Sequence, residues 1–166
     1  MEKKSVQRFI IPVLLFILAY EWLISSANKL VTTNYDAKLR HQMAQSVSGI
    51  QFQPYASLLK NIGLPHSHLF GTLVLVAELF VGLTFVGIGI RKLQGKSTRV
   101  VGRFGIVASI VAAFMSLNYA LLGGDPLFVD PANAFQQGIS IDWILFLIEV
   151  TLVFYFYHVS NQRKVK

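Results

Sequence analysis

The 166-residue chain has no cysteine, and only 14% of its residues are charged. Without Cys there is no disulfide framework, no dithiol relay, no Cys-ligated zinc and no thiolate nucleophile. A soluble domain usually carries about 25% charge. The low charge here, with 54% apolar residues and a mean hydropathy of +0.54, excludes a water-soluble globule. A Gly-rich phosphate loop, a nucleophile elbow and a dinucleotide fingerprint are also missing. Histidine is sparse: His41 falls in a loop, His66 and His68 at one mouth of the bundle, and His158 at the other end. A bis-imidazole haem needs two rings facing each other inside the bundle, so no haem is expected. The lone His66/His68 pair is too small a ligand set, and no metal is expected either.

What the chain does have is long apolar runs. About 20 such residues are needed to cross ~30 Å of hydrocarbon. Four runs qualify, at about 9–27, 69–90, 100–122 and 141–157. Apolar residues occupy every side of them, as lipid contact requires. The first resembles a secretory signal in its basic start, but Glu21-Trp22 is a poor approach to a cleavage site, so it reads as a span. The expectation is all-α: a single membrane domain over residues 1–166, built as a bundle of four transmembrane helices with no second folded unit.

The basic residues set the orientation. Lys3, Lys4 and Arg8 precede the first span; Arg91, Lys92, Lys96, Arg99 and Arg103 lie between the second and third; Arg163, Lys164 and Lys166 follow the fourth. By the positive-inside rule both termini are cytoplasmic, in what is best read as a bacterial plasma membrane. The net charge of +7 is thus a topology signal and not a nucleic-acid footprint. Trp22 and Trp143 are expected at the outer interface, Tyr155 and Tyr157 at the inner one.

Two outer segments remain, 30–68 and 123–140. In the first, Leu39, Met43, Val47 and Ile50 recur at helical spacing among polar residues, which predicts an amphipathic helix on the outer surface. A second short helix is expected from Pro54 to near Gly63, where a left-handed glycine would stop it before Pro65. This segment reads as a cap on the bundle or a lid over a site. In the second, Asp125-Pro126 and Asp130-Pro131 predict turns, with Leu127, Phe128 and Phe135 folding back onto the bundle.

Ionisable residues inside hydrocarbon are costly and mark candidate sites. Three carboxylates qualify: Glu21, Glu78 and Glu149. At ~1.5 Å per residue each falls ~12–14 Å below the outer boundary, which predicts one carboxylate layer. Ser25 and Asn28 extend a polar stripe from Glu21 towards Lys29, Gly71 and Gly82 flank Glu78, and Asp142 shares the stripe of Glu149. Asn118 and Tyr119 lie just below the outer boundary on the third span, whose Gly105, Ser109 and Ala113 form a helix-packing face. Three like charges at one depth cannot all stay ionised. Two readings stand: hydrogen-bonded glue between helices, or groups that exchange protons.

EWLISSANKL at the end of span one resembles the motif of DoxX/DoxD-like membrane proteins, a Glu-Trp pair followed by a small-x-Asn-Lys stretch. YASLLKNIGLPHSHLFGTLVLVAELFVGLTFVGIGIR resembles the family's short helix, Gly-Leu-Pro turn and Glu-bearing span, and MSLNYALLGGDP the end of its third helix. The resemblance covers most of the chain and implies a four-helix membrane bundle; some members are similar to the membrane subunit of thiosulfate:quinone oxidoreductase. Carried over by position, Glu21, Trp22, Asn28, Lys29, Glu78, Asn118 and Tyr119 match, while Ser26 stands where Gly is common.

Three functions follow as expectations. The first is the membrane subunit of a quinone-linked oxidoreductase. In it Glu21 or Glu78 exchanges protons as the catalytic acid, and Trp22, Asn28, Lys29, Asn118, Tyr119 and Glu149 hold the quinone. Lys29 and Lys60 attract a small anionic reductant. With no haem, metal or thiol in the sequence, electrons pass directly or through a partner subunit. The second is a non-catalytic assembly or scaffold subunit, in a heteromer or homo-oligomer. The third, a small-solute or ion carrier, is weakened by the lack of an inverted repeat.

Overall fold

A computed structural model describes residues 2–50, 52–96, 98–124 and 139–161, with side chains from Phe9 onward in the first helix. The described chain is all-α. Helix α1 covers Glu2–Val31, α2 Tyr35–Ser46, and α3 Gln53–Leu58, which runs into a π-helical turn at Leu59–Gly63. Then come α4 (Ser67–Leu93), α5 (Arg99–Gly123) and α6 (Ile141–Asn161). Four segments are long and apolar enough to cross a membrane: Phe9–Val31 within α1, and α4, α5 and α6 in full. They coincide with the four expected spans. Helix α1 continues past residue 27 because its last polar turn is not a loop: Ser25 and Lys29 find a buried partner on α4.

Helix α1 packs along α4, α5 packs along α6, and α4 against α5 joins the two pairs. The shared core is apolar and tight, with Leu15, Leu18, Val81, Phe85, Ala108, Ala112, Leu152 and Phe156 all but inaccessible. Between helices in lipid, close van der Waals fit replaces the hydrophobic driving force. Two glycines make that fit. A Cβ on Gly82 would stand 2.6 Å from Leu23 Cγ, and one on Gly105 2.6 Å from the Phe156 ring. The small-residue faces expected on the second and third spans are therefore packing faces.

Helices α2 and α3 form the cap. Met43, Ile50, Ala56 and Leu59 bury themselves in a second cluster, flanked by Leu39, Val47, Tyr55, Leu64 and Leu122. The amphipathic face read from the sequence is thus the one that packs. Pro54 occupies the first turn of α3, as expected. Gly63 differs: the described glycines with positive φ are Gly95 and Gly124. Leu64 N–H instead donates to Leu59 C=O at 2.8 Å, closing a π turn. Gly63 is needed for space, since a Cβ there would meet Leu59 Cδ1 and Met43 Cε at 2.8 Å each. An exposed His68–Asp36 contact of 3.4 Å links α4 to α2. The turns expected at Asp125-Pro126 and Asp130-Pro131, with Leu127, Phe128 and Phe135, lie outside the described residues.

Trp22 and Trp143, expected near the outer interface, are 2% and 9% exposed and pack against protein rather than lipid. An indole N–H that finds an acceptor can be buried, and Trp22 has one in Glu149. At the far end from the cap, Lys92 donates to Tyr155 OH at 2.8 Å.

Candidate functional site

Glu78 is fully buried on α4. Its Oε1 accepts from Ser25 Oγ at 2.8 Å, Lys29 Nζ at 2.7 Å and Tyr119 OH at 2.6 Å. Lys29 also donates to Ser25 Oγ at 2.8 Å and lies 5.6 Å from the centre of the Tyr119 ring. Three donors on one oxygen, one of them an ammonium, form a compact ion-pair network across α1, α4 and α5. Glu78 Oε2 is buried and accepts no hydrogen bond from the described residues. This oxygen is the spare capacity of the site.

Glu149, on α6, is equally buried but differently held. Trp22 Nε1 donates to its Oε1 at 2.9 Å and Ser116 Oγ to its Oε2 at 2.7 Å. Both oxygens are satisfied by neutral donors. The two carboxylates touch α1 at residues 25 and 29 against 22, and α5 at 119 against 116. Glu149 therefore sits about one turn, ~4.5 Å, farther from the cap than Glu78. The expected single layer is two levels. Depth counted from the start of each apolar run fails because α4 projects farther towards the cap than α6.

A pocket of about 390 Å³ opens between the cap and helices α4 and α5. Lys29, Tyr35, Gln42, Tyr55, Asn118 and Tyr119 are its polar lining residues; Met43, Leu59, Phe70, Phe114 and Met115 are among its apolar walls. Tyr55 OH donates to Asn118 Oδ1 at 3.2 Å, tying the cap to α5. Burial pushes the Tyr35 phenol up to about 12, and the nearby negative charges of Glu78 and Asp36 add to it. Burial also raises Tyr55. Both phenols are therefore neutral donors at physiological pH. At the rim, Leu58, Ile62 and Phe114 are exposed apolar side chains.

Of the residues singled out in the sequence, Lys29, Asn118 and Tyr119 line the pocket, and Glu78 stands directly behind Lys29 and Tyr119. Trp22 stacks on Tyr119, ring centres 6.4 Å apart, and backs that wall while bonding Glu149. Neither Trp22 nor Glu149 lines the pocket. Glu21 and Asn28 face outward on α1, away from Glu78. Sequence reasoning missed Tyr35, Tyr55 and Ser116. The first two were hidden in a segment read only as a cap. Ser116 carried a usable signal, since it lies three residues before Tyr119 and thus on the same face of an apolar span.

Comparison with family models, with characterised proteins and with solved structures found no match to this chain.

Proposed function

We propose that the protein is the membrane subunit of a quinone-linked oxidoreductase, with the cap on the outer side of a bacterial plasma membrane and both termini in the cytoplasm. The observation that carries this reading is the Lys29–Glu78–Tyr119 network at the wall of a largely apolar pocket. Ligand pockets of this kind pair apolar walls with a few fixed polar groups. Its volume of about 390 Å³ suits a substituted ring, and the exposed apolar rim suits arrival from the bilayer. The resemblance to DoxX/DoxD-like proteins points the same way, and Arg91, Lys92, Lys96, Arg99 and Arg103 around the α4–α5 turn, opposite the cap, support the orientation.

A quinone held there by Lys29, Asn118 and Tyr119 would supply the redox chemistry, the two-electron, two-proton couple between quinone and quinol. The chain's own residues hold and deliver protons. Lys29 Nζ lines the pocket and keeps a third N–H, beyond those given to Ser25 and Glu78, for a ring carbonyl. The Tyr119 hydroxyl, whose one proton goes to Glu78, lines it as an acceptor, and Asn118 and Tyr55 can orient the far edge of the ring. Glu78 is a positioning residue behind them, and its spare Oε2 can take a proton in passing. Electrons come from a small anionic reductant at the outer face, directly or through a partner subunit.

The test is lipid extraction of the purified protein for a stoichiometric quinone, followed by thermal shift with decylubiquinone. Lys29→Met should abolish both. If neither quinone nor thermal shift is found, the reading fails and a non-catalytic assembly subunit takes its place.

A further inference from the structure

Glu21 is left over by the site, and its position is unusual for a carboxylate. It lies twelve residues, ~18 Å, from Phe9 and ten, ~15 Å, from Val31, close to the middle of the α1 span. It is exposed on the outer face of the helix. The exposed faces of α4, α5 and α6 are what lipid accepts: Leu73, Val76 and Leu83; Phe104, Val107 and Ile110; Ile144, Leu147 and Phe154. Among the described residues no other exposed carboxylate lies within the apolar spans, and no hydrogen bond or ion pair within the chain reaches Glu21. Lipid cannot satisfy such a group, and intramembrane acids pair with protein.

The surrounding face says what kind of partner fits. Ile10, Val13, Ile17, Tyr20, Ile24, Ala27 and Val31 are all exposed and follow one another at alternating steps of three and four. That is heptad spacing with β-branched residues at every a position (Ile10, Ile17, Ile24, Val31), as in two-stranded parallel seams, while Val13, Tyr20 and Ala27 stand at d in place of the usual Leu. Tyr20 then occupies a d position and Glu21 the adjoining e position. In a parallel pair a d side chain packs into a hole whose wall includes the partner's e residue.

We propose that a second copy of this chain packs along α1, with the Tyr20 hydroxyl of each protomer donating to the Glu21 carboxylate of the other. The symmetry is closed and each contact occurs twice. A phenol at 67% exposure and a carboxylate, neither with a partner among the described residues of the monomer, satisfy one another in the dimer. A twofold axis along the membrane normal puts both copies at one depth, as the pairing requires. The inference rests on the bilayer reading of the four helices and is independent of what the pocket holds.

The chain has no cysteine, so single Cys variants report contacts without background. In native membranes, oxidation should convert most Ile17→Cys or Ile24→Cys chains to a disulfide-linked homodimer. Leu83→Cys and Phe154→Cys, exposed on other helices, should stay monomeric. In the Ile24→Cys background, Tyr20→Phe or Glu21→Leu should cut dimer yield several-fold. Glu21→Gln should preserve it, because the amide oxygen still accepts from the phenol. Resistance to alkaline extraction checks membrane insertion separately. Monomers at positions 17 and 24, equal cross-linking at the controls, cross-links to a different chain, or a yield indifferent to Glu21→Leu would each overturn the proposal.

Discussion

Glu78 and Glu149 are two acids of the same kind, both inaccessible, about one turn apart in depth, yet they are held in opposite ways. Glu149 is closed. Its two oxygens meet two neutral donors, Trp22 and Ser116, and it ties α6 to α1 and α5. No Lys or Arg pairs with it among the described residues, and it does not line the pocket. Glu78 is open. It gathers Ser25, Lys29 and Tyr119 on one oxygen, leaves the other unused, and its two strongest partners continue into a pocket. A buried carboxyl can serve as glue when every lone pair is answered locally. Unequal answering beside a pocket points to a site. The sequence readings of glue and of proton exchange were framed as rivals for all three acids. The structure divides the acids between different surroundings.

The largest effect should come from the closed node. Glu149→Leu strands the Trp22 indole N–H and the Ser116 hydroxyl in the core. An unanswered buried donor costs about 1–3 kcal/mol, so the variant should lose about 2–6 kcal/mol of stability, read from thermal or denaturant unfolding in detergent. Its surviving folded fraction should still take decylubiquinone with unchanged affinity. A stable Glu149→Leu variant would remove the glue assignment; a folded variant that had lost the ligand would draw Glu149 into the site.

The two Gln substitutions should then separate the nodes. Glu149→Gln keeps an acceptor for the indole, and the Ser116 hydroxyl can turn to accept from the new amide, so the cost should stay within about 1 kcal/mol. Glu78→Gln keeps the shape but takes the countercharge from Lys29, whose side chain is only 18% exposed. Hydrogen bonds to charged groups are worth about 1.5–3 kcal/mol, so this variant should lose an amount in that range. Its decylubiquinone affinity should fall at least tenfold. Equal behaviour of the two variants in both measurements would erase the distinction.

The four spans and the packing face of the cap were legible because they rest on features a sequence displays directly. Those features are run length, the spacing of Leu39, Met43, Val47 and Ile50, and small residues at Gly82 and Gly105. Half of the site was legible for the same reason, since Lys29, Glu78, Asn118 and Tyr119 are polar residues in apolar surroundings. The pairing was not. Which acid meets which donor depends on how far each helix projects, and α4 and α6 start at different levels. Glu21 shows the limit in another form: counting residues placed it within the first span but could not show that its side chain is exposed. Burial of Trp22 followed from an acceptor on a helix over a hundred residues away, a contact no local pattern encodes.

The smallest effect is also the one that tests communication between node and pocket. Tyr35 is half-buried in the pocket wall, and its phenol is pushed up to about 12, by burial first and then by the negative charges of Glu78 and Asp36. In the unfolded chain the same phenol ionises near its ordinary value of 10. Between those values the folded protein keeps a proton that the unfolded chain has shed. Stability from this group is therefore intact below pH 10 and falls as pH rises towards 12. Tyr35→Phe should lose less stability than the parent across that interval, a modest difference because the ring is only half-buried. Phenolate absorbance, taken as the difference between each protein and its Tyr35→Phe version, follows the same proton directly. Glu78→Gln removes one of the charges and should move the Tyr35 titration down, whereas Glu149→Gln should leave it where it is. A shift caused by Glu149→Gln as large as that caused by Glu78→Gln would mean that the two acids share one electrostatic environment, and that the closed node is not closed.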